Sequence, residues 1–142
     1  MYFAYFYTIL FSKLTQIYEF KEKNMFRNSL AVIAAYAVFV ITSLALFNLS
    51  GHNPDARTTL NFQVLTAIYG IIFSFLSGLV LQLIAKKKNL NLNYILAFIM
   101  AGFATFSLIK ADGSHWTQLL AIFIFAPTSV LGGFYIVRKT IK

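Results

Sequence analysis

Few side chains in this 142-residue chain could do chemistry, and the most suggestive four are His52, Asp55, Asp112 and His115. They comprise both histidines and half of the four acids. Imidazole and carboxylate together can hold zinc or another divalent ion, or exchange protons as general acid and base. Their spacing speaks against such a site, because a whole helical hairpin separates the first pair from the second. The plainer role is two solvated loops in which the acids balance Arg57 and Lys110. There is no Gly-rich phosphate loop, nucleophile elbow or helical histidine pair. With no cysteine, disulfides and thiolate metal sites are excluded. The expectation is a protein that is not an enzyme and has no cofactor, with those four residues as the candidate metal or catalytic set.

The elements that carry these residues are set by where charge is missing. Sixteen charged residues leave four gaps of roughly 20 to 28 residues: Arg27 to Asp55, Arg57 to Lys86, Lys88 to Lys110, and Asp112 to Arg138. About 20 apolar residues in a helix cross the hydrocarbon core of a bilayer. The chain is 59% hydrophobic and 11% charged, more apolar than a soluble domain of this size can bury. The reading is all-α: an up-down four-helix transmembrane bundle, with spans at about 30–49, 62–85, 92–109 and 117–137. Short connections make consecutive helices antiparallel neighbours. Ser29 is positioned to cap the first span, and Ser50-Gly51 to end it.

Basic residues set the orientation. Lys13, Lys21, Lys23 and Arg27, then Lys86, Lys87 and Lys88, then Arg138, Lys139 and Lys142 all fall on one side; only Arg57 and Lys110 fall on the other. The positive-inside bias places both termini and the Lys86–Lys88 connection in the cytoplasm. The net charge of +8 is therefore read as membrane-surface charge, with Lys86–Lys88, Arg138 and Lys139 near anionic headgroups, and not as a nucleic-acid surface. Residues 1–28 carry two readings. The first is an interfacial amphipathic helix, aromatic at Met1–Ser12 and basic afterwards. The second is a non-native extension. Lys21-Glu22-Lys23-Asn24-Met25 requires a purine-rich coding run ending in ATG, which resembles a bacterial ribosome-binding site before a start at Met25. Intact mass of the native protein separates the two.

Inside the spans the informative residues are small. Gly70, Ser74 and Gly78 recur every four residues, as do Ser129 and Gly133, and Ala97, Ala101 and Thr105. Such stripes let helix backbones approach closely, within the bundle or between chains. Spans two and four also match at one offset (Gln63 with Gln118, Ser74 with Ser129, Leu76 with Leu131, Gly78 with Gly133), as a duplicated hairpin would. Pro127 removes a hydrogen bond and is expected to kink span four. Thr128 and Ser129 are placed to satisfy the freed carbonyls. No span holds Asp, Glu, Lys, Arg or His, the usual marks of proton or ion coupling. Small multidrug transporters, also four-helix proteins, depend on a Glu in the first helix that is missing here.

From Met25 onward the segments Leu46–Pro54, Ile68–Ser74 and His115–Leu120 resemble small bacterial inner-membrane proteins with four spans and no assigned function. The resemblance implies an inner-membrane setting and brings no catalytic residues. The size and basic loops are also similar to immunity proteins against pore-forming bacteriocins, with no motif of that group matched. The leading expectation is a non-enzymatic accessory or interaction subunit, working through helix packing with a membrane-protein partner or a second copy at the Gly70/Ser74/Gly78 face. The alternatives are a small uncoupled transporter or channel that uses Gln63, Gln118 and Pro127, and an outer-face site at His52 and His115.

Overall fold

The computed structural model describes residues 1–54 and 56–141. Among these all the regular structure is helical. Helix α1 spans Tyr2–Ser50, α2 Leu60–Ala85, α3 Asn91–Lys110 and α4 Trp116–Ile141. All four are long and apolar enough to cross a membrane.

The ends follow local chemistry. Gly51 stops α1 in the left-handed region at φ 68°, which glycine reaches without a Cβ penalty. Thr59 enters α2 from extended backbone. Lys86 stops α2 at φ 53°, its N–H bonded to the Gln82 carbonyl. One expectation is corrected here. No helix starts at Ser29: a single 49-residue helix, Tyr2–Ser50, runs through it. No Gly or Pro precedes Gly51, so nothing interrupts the backbone ladder at Ser29. At about 1.5 Å per residue, α1 is far longer than a bilayer core, and residues 1–23 stand exposed beyond the bundle.

Helix α4 is divided. Regular turns at Trp116–Leu120 and Ala126–Ile141 flank a π turn at Ala121–Phe125. Pro127 has no N–H and its ring crowds the carbonyl four residues back. The wider turn in front of it takes up the mismatch, with Ala126 N–H bonded to the Ala121 carbonyl.

The helices alternate in direction, yet the closest pair is not consecutive. Helices α2 and α4 run parallel in direct contact at the centre. Helix α1 packs on α2 and more lightly on α3, and α3 packs on α4. Both termini and the 86–90 connection lie at one end, the terminal end. The 51–59 and 111–115 connections lie at the far end. The core contains Ala31, Ala35, Leu81, Ala85, Leu96, Met100, Phe125 and Ala126. Larger apolar side chains such as Ile33, Ile68, Phe98, Phe106 and Leu131 face outward.

Candidate functional site

The terminal half of the bundle is closed. A Cβ at Gly78 would collide with the Ser129 carbonyl, and one at Gly132 with the Phe75 carbonyl, so α2 and α4 touch backbone to backbone. Gly70 faces the Phe125 ring, and Gly133 faces the Asn93 amide. Ser74 donates to the Phe125 carbonyl, and Ser77 donates 2.6 Å to the Ala35 carbonyl of α1. The Gly70/Ser74/Gly78 and Ser129/Gly133 stripes thus meet inside one chain. A partner must use another surface, which corrects the expectation of docking through that face. Ala97 and Ala101 lie half-buried against the core. Gly78 lies against the backbone of both Ser129 and its match Gly133, with Ser129 the nearer.

Two amides complete the seal. Asn93 and Gln82 are fully buried, at 0% and 1% exposure. Gln82 Nε2 donates to Asn93 Oδ1 at 2.6 Å and to the Asn89 carbonyl at 2.8 Å. Asn93 Nδ2 reaches the Gly78 and Ser129 carbonyls at 3.3 and 3.4 Å. One side chain therefore ties α3 to both α2 and α4. Gln82 Oε1 is buried without a partner. Neither Asn93 nor Gly132 stands out among the candidate residues of the sequence. The available signal was position: Asn93 shares a helical stripe with Leu96 and Met100, both buried.

The far half is hollow. A cavity of about 360 Å³ opens between all four helices, within the range of small-molecule sites. Gly70 and Phe125 form its floor, and Pro54 and Thr117 stand at its far-end rim. The π turn contributes Ala121 and Phe125 to the wall; such turns recur at functional sites. Tyr36 stacks on Phe103 at 5.6 Å, and Phe39 meets Phe125 edge-on at 5.8 Å. Gln118 lines this cavity and donates 3.4 Å to Ser107. Gln63 lies elsewhere, bonded to the Thr58 carbonyl. Thr128 and Ser129 hydroxyls donate to the Ile124 and Ala126 carbonyls beside Pro127.

The far-end connection folds over this mouth. Trp116 Nε1 donates to the Ala56 carbonyl at 3.2 Å, and Thr117 to the Pro54 carbonyl at 2.9 Å. Phe47, Phe62 and Trp116 pack as a ring cluster. His52 is part of this lid: it stacks on Phe62 at 4.0 Å and bonds the Ser50 carbonyl. Asp112 and His115 are exposed, and Asp55 lies outside the described residues. Among the described residues no three His, Cys, Asp or Glu side chains gather as a metal site would require. Lys86, Lys88, Arg138 and Lys139 are exposed at the terminal end, and Lys87 is half-buried there.

Fold and site together define a four-helix chain built of membrane-length apolar helices, sealed at one end and hollow at the other. No protein-family model, curated protein or solved structure matches it.

Proposed function

We propose that this is a polytopic protein of a bacterial inner membrane, with both termini cytoplasmic, serving as a non-enzymatic accessory or interaction subunit. One observation carries the reading: the polar side chains of the terminal half are used to lock helix to helix. Ser74, Ser77, Gln82 and Asn93 all bond across helices, and among the described residues no charged one is buried in the packed scaffold. Small and polar residues inside with large apolar residues outside is the pattern of a bundle whose solvent is lipid. The arm of α1 beyond the bundle, with Phe3, Phe11, Tyr18 and Phe20 exposed, offers contact surface for a partner. Gentle extraction followed by native mass spectrometry tests this. A second protein in fixed stoichiometry is the expected result, and a lone chain under all mild conditions overturns it. The same spectrum gives the native start, Met1 or Met25.

A second reading, a small uncoupled transporter, is favoured by the cavity and the π turn on its wall. It requires solute flux in liposomes that falls when Gln118 is changed to Leu. Flux that is unchanged in Gln118→Leu, or absent in the wild type, removes it.

A further inference from the structure

We propose that the far-half cavity binds a small protonated organic amine with an apolar body. The inference is independent of whether the chain has a protein partner, and it needs no transport.

The wall chemistry selects the ligand class. Six rings line the space: Tyr36, Phe39, Phe47, Tyr69, Phe103 and Phe125. Aromatic rings attract cations through their negative faces, most strongly where water is excluded. The hydroxyls point to the same class. Of the six on the wall, four give their hydrogen to a carbonyl of the protein. Ser43 donates to Phe39 at 2.8 Å, Thr66 to Phe62 at 2.9 Å, Tyr69 to Thr42 at 3.2 Å and Thr117 to Pro54 at 2.9 Å. A hydroxyl whose hydrogen is committed still offers oxygen lone pairs. The four committed hydroxyls therefore offer acceptors only, which suits an ammonium N–H. The Tyr36 and Ser107 hydroxyls and the Gln118 amide also line the wall, and no cationic side chain there balances a carboxylate or phosphate.

Charge agrees with this. No Lys or Arg lines the cavity among the described residues, so nothing there repels a cation; no Asp or Glu lines it either, so rings and lone pairs alone stand in for its water. Among the described residues the far end has Arg57 and Lys110 as its basic residues, while the others lie at or beyond the terminal end. The sealed terminal half makes the cavity a pocket with a floor, so a bound amine leaves by the way it entered.

The test is equilibrium dialysis of radiolabelled 2-phenylethylamine against the full chain in phosphatidylcholine nanodiscs. Empty nanodiscs subtract partition into lipid. Saturable one-site binding is expected. The neutral 2-phenylethanol should compete about tenfold more weakly, and 3-phenylpropanoate should not compete. Ala104→Phe, which puts a ring into the space, should abolish binding, and Phe39→Leu should weaken it about tenfold. The wild-type ligand series decides the matter even if a variant unfolds. No saturable binding, equal competition by the alcohol, or binding of the carboxylate overturns the proposal.

Discussion

At the scale of single residues, the glycines are not equivalent. At Gly78 the atoms that a Cβ would meet belong to the Ser129 and Gly133 backbone, which cannot rotate away. At Gly102 nothing lies within 4 Å. Gly78→Ala is therefore expected to cost about 2–3 kcal/mol through forced separation of α2 and α4. Gly102→Ala should stay within about 0.5 kcal/mol. Thermal unfolding of the two variants in one detergent checks the contrast, and equal losses would mean that α2 and α4 do not pack this closely. Gly78 was legible because a four-residue repeat of small side chains stands out in an apolar run. Asn93 was not, because Asn89-Leu90-Asn91-Leu92-Asn93 reads as a polar connection. Only the helix start at Asn91 turns Asn93 onto the face of Leu96 and Met100.

At the scale of elements, the limits of α2, α3 and the C-terminal end of α1 were readable because charge, Gly and Pro mark where apolar helix must stop. The N-terminal reach of α1 was not, since a helix that meets no breaker simply continues. Helix α4 carries the least obvious device. A π turn amounts to one extra residue in an α-helix, and here it keeps the Gln118 face and the Ser129/Gly133 face aligned despite Pro127. Deleting Phe123, which is 72% exposed, would restore a regular helix with both flanks in register. It would also drive the Pro127 ring into the carbonyl four residues back, at a cost of about 3 kcal/mol. Combining the deletion with Pro127→Ala removes that clash. The expected result is a large loss of thermal stability for the deletion alone and recovery of most of it in the combination. Equal loss in both would mean that the π turn is not there to accommodate the proline.

At the scale of the whole molecule, the two halves differ in what fills them, and the difference decides between binding and conduction. The terminal half is filled by close backbone contact and by amides that bond across three helices. The far half is held apart by rings and by the π turn. A channel needs both halves to open, whereas a binding scaffold needs only one. The lack of native cysteine makes this measurable with single substitutions. Ser43→Cys and Ala104→Cys place a thiol on the cavity wall; Ser77→Cys and Ser129→Cys place one in the sealed half, where both serines are 0% exposed. A small water-soluble thiol reagent should label the first pair from the far-end side only. The second pair should stay unlabelled from both sides until the protein is denatured. Labelling of Ser43→Cys from both sides at similar rates would require a path through the Gly78–Ser129 contact, and the chain would then have to be read as a conduit. The side from which the first pair reacts also fixes the orientation of the termini, without relying on the asymmetry of basic residues.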